Sequence, residues 1–230
     1  AARWALASRR NANGSFRHDA MDVGGPYLGD SLRMARALLA LYRADGARRW
    51  LRESLRTTLA IEQLFRTPAG YATAVKGDAP IAPLPSIEEQ ISLARHANLL
   101  FHYSGDVRLR AIAEHALAWL AREQIALVAF TEAGILLAEY ELARAPLHLT
   151  VVGAKDDPAA AALYRAVLEL PAAYKRVDWW DRREGPLPHP DVSYPALKRA
   201  AAFVCNDRQC SLPIYQPQGV ADYFAELPHD

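Results

Sequence analysis

The first two thirds of the chain repeat apolar positions at a spacing of three and four residues. Over residues 29–44, "GDSLRMARALLALYRA", and the residue before them, the stripe runs through Leu28, Leu32, Ala35, Leu39 and Tyr42. This is the period of a helix with one apolar face. Met34, Leu38 and Leu41 widen the stripe, which predicts a largely buried helix. A second helix is predicted over about 47–66. It carries Trp50, Leu51, Leu55, Leu59 and Ile61 inward, with Arg48, Arg52, Glu53 and Arg56 on a wet face. Gly46 marks the turn between the two.

The scheme then returns. Ser86 can cap a helix over about 87–104, Gly105 stops it, and Asp106 can open another ending near Gln124. "LLALYRADGARRWL" aligns with "NLLFHYSGDVRLRA" when Gly46 is set on Gly105, a period of about 59 residues. A helix over about 128–144 and a helical remnant before Asn11 bring the total to about three hairpins. Hairpins of this kind bury their apolar faces against copies of themselves.

After Pro146 the period changes. "LHLTVVG" is short, apolar and β-branched, and predicts a buried strand. "DDPAAAALYRAVLEL" predicts a helix with Pro158 in its first turn. "YKRVDWW" and "RAAAFVC" predict two more strands, and a helix over about 218–227 closes the chain. The predicted fold is mainly α, with helical hairpins over 1–145 and a small α/β segment over 146–230.

Composition narrows the classes. The formal net charge is +1, with 51% hydrophobic and 23% charged residues, the balance of a soluble globular protein. That charge gives no field to draw the chain to nucleic acid, and no apolar run is long enough to span a membrane. The chain begins at Ala1 without a methionine and reads as a fragment or processed product. Two cysteines are too few for a disulfide scaffold and only half of a closed zinc site, so the compartment stays open between cytoplasm and periplasm. No metal or other cofactor is implied.

Candidate chemistry concentrates in "GSFRHDAMDVGGPYLGD", a loop that gathers His18, Asp19, Asp22, Tyr27 and Asp30. In a ring of hairpins, the loops at one rim surround a central pocket. A sugar pocket needs aromatic faces together with carboxylates or histidine for proton transfer. The same residues also have plainer readings, since Gly24, Gly25 and Pro26 are turn chemistry and Asp30 suits a helix N-cap. Glu88 and Glu89 suit the first turn of their helix, where negative charge is favoured. His96, His102 and His115 stand singly and read as structural. Trp179 and Trp180 read as packing groups, with sugar stacking as the alternative. "VVGAKDDP" reads as a structural turn and not a phosphate cradle, because it has one glycine and two aspartates, Asp156 and Asp157, that would repel an anion. Cys205 and Cys210 leave three readings open: packed thiols, a redox-active pair, or part of a metal site.

Taken in order, four stretches resemble one family. "GPYLGDSLRMARALLALYRADGARRWL", "PSIEEQ", "LTVVGAKDDP" and "AAFVCNDRQCSLP" are similar to the C-terminal part of the thioredoxin-domain-fused α/α-barrel proteins similar to spermatogenesis-associated protein 20. That family is related to N-acylglucosamine 2-epimerases and six-hairpin glycosidases. Asp30 falls on the second aspartate of the family's Gly-Tyr-Leu-Asp-Asp-Tyr-Ala segment, and Gly29 replaces the first. Pro85 and Ser86 match a Pro-Ser-Gly-Asn segment in which Ile87 and Glu88 replace Gly-Asn.

The resemblance implies a partial α/α-toroid, with a thioredoxin-like domain and the missing barrel half lying upstream. It implies a carbohydrate-processing or carbohydrate-binding region with a small carbohydrate as ligand, inactive as this piece alone. His18, Asp19, Tyr27, Asp30 and Glu88 are its ligand-binding candidates, and Cys205 and Cys210 its redox candidates. The alternative is a non-catalytic scaffold that presents substrates to a thioredoxin-like module, with a thiol–disulfide role for the cysteine pair. An uncovered helical flank would also permit a homodimer.

Overall fold

The structure, a computed structural model, describes residues 1–21, 25–75, 82–129 and 131–227. It is mostly helical with a small sheet region. The chain divides into two compact units: a helical one of Ala1–Tyr42, Ala47–Phe101 and Asp106–Ala143, and an α/β one of Arg43–Gly46, His102–Gly105 and Arg144–Asp230.

In the helical unit a short α1 (Ala2–Ser8) precedes α2 (Leu28–Asp45) and α3 (Arg48–Phe65). A two-stranded hairpin, β1 (Arg66–Thr67) with β2 (Gly70–Tyr71), follows α3. Then come α4 (Ile87–Ser104), α5 (Val107–Leu120), the single turn α6 (Glu123–Ala126) and α7 (Ala133–Ala143). Asp106 caps α5 by accepting from the Arg108 N–H.

Several details differ from the sequence expectation. The helix expected to run to about Gln124 ends at Leu120, and the one expected over 128–144 is confined to 133–143. α2 buries Leu28, Leu32, Ala35, Leu38, Leu39 and Tyr42, yet Arg33 and Arg36 keep an exposed face. In α3 the buried face is rotated from the leucines toward Ser54, Thr57 and Thr58, while Leu55 and Leu59 are half-buried. The small hydroxyl residues permit close approach. Ser54 Oγ donates to Ala35 O at 2.7 Å, and Thr58 Oγ1 donates to Ser54 O at 2.9 Å. Both oxygens can then accept from His96 Nε2 on α4, at 3.5 and 3.2 Å. Apolar periodicity alone cannot register a face closed by hydrogen bonds.

α4 is enclosed almost all round. Its inward residues include Gln90, Leu93, Ala94, His96, Asn98, Leu100 and Tyr103. Gln90 is satisfied by the hairpin, since its Oε1 accepts from Tyr71 N and its Nε2 donates to Tyr71 O. Gly29 lies against Glu89 at one end of the α2–α4 pair. Further along, Ala35 and His96 meet around Ser54. The two helices therefore run side by side in the same direction, with their N-termini together.

The α/β unit is built on β3 (Leu147–Val152), α8 (Pro158–Glu169), β4 (Lys175–Trp180), β5 (Ala201–Cys205) and α9 (Pro217–Glu226). The sheet order is β4-β3-β5, with β4 parallel and β5 antiparallel to β3. The parallel pair requires the crossover that α8 supplies. Alternation divides the two faces. Leu149, Val151, Val177, Ala202 and Val204 pack on Leu163, Tyr164, Val167 and Val220. The opposite face places Phe203 and Cys205 against Leu187 and Tyr194.

That second face also holds charge. Arg176 and Asp178 are each only 1% exposed, and Arg176 Nε donates to Asp178 Oδ2 at 2.7 Å. Arg176 further reaches Asp191 and the His189 carbonyl. His148 Nε2 lies 3.2 Å from Asp178, and Thr150 lies between His148 and the Tyr194 hydroxyl. Ion pairs and hydrogen bonds thus satisfy every charge on this buried face. β4 is an edge strand, and the Tyr103 hydroxyl accepts its Val177 N–H at 2.8 Å.

Candidate functional site

The loop before α2 is built from short-range hydrogen bonds. Asn11 N donates to Ser15 O, and the Asn13 side chain accepts from both Ser15 N and Ser15 Oγ. Phe16 is buried, and its N–H donates to Ser31 Oγ on α2 at 3.0 Å. On the other side, Tyr27 bridges to Ala74, and Thr73 O accepts the Leu28 N–H at 2.9 Å. The helix start is therefore pinned from two sides.

His18 Nδ1 lies 3.2 Å from both Oδ1 and Oδ2 of Asp30. Asp30 is the third residue of α2 and not the residue before it, so it pairs with His18 from inside the first turn. An Nδ1–H donating to the carboxylate leaves Nε2 with the lone pair, the tautomer suited to a general base. The Tyr27 ring stands edge-on to His18 with centroids 6.4 Å apart. Asp19 bonds locally, its Oδ1 accepting from Met21 N at 2.7 Å. Asp22 and Gly24 lie outside the described residues.

Glu88 is exposed in the first turn of α4. Its neighbour Glu89 is the more informative residue. The Gly29 N–H bonds to the Glu89 carboxylate, so α4 caps the start of α2. Glu89 Oε2 is buried without a hydrogen-bond partner. Burial raises the Glu89 carboxyl above its ordinary range, with Arg33 opposing the shift and Glu88 and Asp30 adding to it. A carboxyl with a raised pKa beside a histidine–carboxylate pair is the pairing that acid–base chemistry uses. The space enclosed between Gly29, Arg33, Glu88, Glu89 and Ser92 is about 20 Å³, room for a single water.

In sequence Glu89 cannot be told from Glu88, because both suit a first helical turn. The signal lay at Gly29. A Cβ there would stand 2.7 Å from Glu89 Oε1, so glycine at that position admits the carboxylate.

The remaining candidates lie elsewhere. His96 is buried between α3 and α4, and its pKa falls to about 3, chiefly through burial and secondarily through Arg36. His115 Nε2 donates to Thr67 O, while its Nδ1 faces Arg66. In the α/β unit both tryptophan indoles donate to backbone, Trp179 to Gly153 O and Trp180 to Gly185 O. Cys205 and Cys210 form a disulfide with Cα atoms 4.0 Å apart. Cys205 is buried and Cys210 exposed. The turn between them is closed by Asn206 Oδ1, which accepts from Arg208 N and Gln209 N. No group of three metal-binding side chains occurs among the described residues. None of their helices is long and apolar enough to cross a membrane.

No protein-family model matches this chain, and no curated protein matches it either.

Proposed function

We propose that the helical unit is part of an α/α-toroid whose N-terminal helix ends bind a small carbohydrate, as the resemblance to the sugar-epimerase-related barrels implies. One observation carries the reading: the parallel helices α2 and α4 gather the His18–Asp30 pair and the half-buried Glu89 carboxyl at their shared N-terminal end. His18 acts as base, Glu89 as the carboxyl with the raised pKa beside it, and Tyr27 supplies an aromatic face. Asp30 orients His18. A single wall binds weakly and does not turn a sugar over, because acid–base chemistry needs opposed groups around one substrate.

A second reading, a non-catalytic scaffold for a thioredoxin-like module, is favoured by the outer face of α7. Leu136, Leu137 and Tyr140 are exposed there, beside exposed Leu127 and Val128. Apolar surface of this kind marks an interaction site.

Calorimetric titration with N-acetylglucosamine and N-acetylmannosamine separates the two. The carbohydrate reading expects saturable, millimolar binding that Asp30→Ala abolishes. No saturable binding of either sugar, with the fold intact, would leave the scaffold reading in its place.

A further inference from the structure

The α/β unit contains a cleft of about 320 Å³ that the carbohydrate reading does not use. It opens beyond the carboxyl end of β3 at Gly153 and beside the segment that leads into β5. The carboxyl ends of parallel strands are where ligands sit in open α/β sheets.

Four cations line it, Arg182, Arg183, Lys198 and Arg199, together with two carboxylates, Asp157 and Asp181. Both carboxylates are already occupied. Asp157 Oδ1 caps α8 by accepting from Ala159 N at 2.8 Å. Asp181 accepts from the Lys155 N–H and from Arg183, and the Arg183 bonds hold its carboxyl well below the usual range. Arg183 also reaches the exposed Asp156. Asp156 and Asp181 thus share the one charge of Arg183, and Asp157 is turned to the N-terminus of α8 as its cap.

Three of the cations have no carboxylate partner among the described residues, and the cleft keeps a net positive charge. Arg182 donates to two neutral acceptors, the carbonyls of Tyr194 and Pro195, and lies 4.7 Å over the Trp180 ring. Arg199 is stacked 3.6 Å over the Tyr215 ring, which fixes its plane without using its N–H donors. Lys198 has neither hydrogen bond nor ion pair among the described residues.

We propose that this cleft binds the phosphate group of a small phosphomonoester, with Lys198, Arg199 and Arg182 as its cationic contacts. Two guanidinium forks and an ammonium suit a dianion with several acceptor oxygens. The volume suits a small molecule.

The test is titration of the full chain with inorganic phosphate and with glycerol 3-phosphate at low ionic strength, followed by calorimetry. Lys198→Ala/Arg199→Ala is compared with the native chain and with Arg208→Ala, which changes an exposed arginine of the same unit outside the cleft. All these positions are exposed, and thermal melts verify that the variants fold. We expect saturable binding, tighter for glycerol 3-phosphate, that weakens at least about tenfold in the double variant and stays native in Arg208→Ala. No saturable binding of either phosphate would overturn the proposal. So would equal binding of acetate, a double variant within about twofold of native, or an equal loss in Arg208→Ala.

Discussion

At the scale of single residues, burial decides which charges matter. His96 is enclosed by α2, α3 and α4 and stays neutral in the folded protein down to about pH 3. In the unfolded chain an ordinary histidine takes its proton near pH 6.5. Between those values the unfolded state binds more protons, so acid favours unfolding. The neutral His96 contribution is present above pH 6.5 and is lost as pH falls toward 3, with a slope on the order of 1 kcal/mol per pH unit. Denaturant melts of His96→Gln should show a flatter dependence over that range, whatever the change in absolute stability. Glu89 has the opposite sign. Its raised carboxyl favours the folded state only where protonated, so stability falls as pH rises through its folded-state value. Glu89→Gln should melt no lower than native at pH 7, and the difference should close near pH 4.

Arg176 makes the sharper residue prediction. Asp178→Asn would leave a 1%-exposed guanidinium short of its closest counter-charge. Removing one partner of a buried pair costs about 3–5 kcal/mol, and chemical denaturation should show a loss of that size. A loss under about 1 kcal/mol would mean that Asp191 and the His189 carbonyl suffice.

At the scale of elements, two glycines carry packing demands that sequence shows only as turns. Gly46 has φ of +67°, and a Cβ there would stand 2.8 Å from Trp179 Cβ. Gly153 is packed still more tightly, with Ala200 Cβ at 2.8 Å and Ala160 Cβ at 2.9 Å from its own added carbon. Gly153→Ala should cost about 1–3 kcal/mol by forcing β3 and α8 apart, measured as a lowered denaturation midpoint. The disulfide closes a loop of only a few residues, so its reduction should cost about 2 kcal/mol on the chain-entropy account.

The strands and the helices α2, α4 and α8 were legible because hydrophobic burial leaves a period in the chain. β3, β4 and β5 lie where β-branched and aromatic runs predict them. The hairpin β1–β2 was not legible, since two-residue strands are too short to leave a pattern. A break between α5 and α7 was legible after Gln124, but α5 ends earlier, at Leu120, and α7 starts later, at Ala133. Of the site, the His18–Tyr27–Asp30 grouping could be read from one loop. Glu89 could not, because its role depends on Gly29, some sixty residues away in the chain. The same holds for the cleft, whose cations sit at 182 and 198–199 while the turn they face sits at 153.

At the scale of the whole molecule, the two proposed sites fall in separate units: the carbohydrate wall at the head of α2 and α4, and the phosphate cleft beyond the carboxyl end of β3. The 230 residues by themselves should not epimerise or hydrolyse sugars, and a coupled turnover assay should read background. The central claim is the location of the carbohydrate wall. It is tested most directly by an amide-resolved NMR titration of the chain with N-acetylglucosamine. The account predicts saturable shifts confined to residues 16–19, 27–33 and 88–92, absent in Asp30→Ala. Shifts that saturate elsewhere and persist in that variant, or none at all, would contradict it.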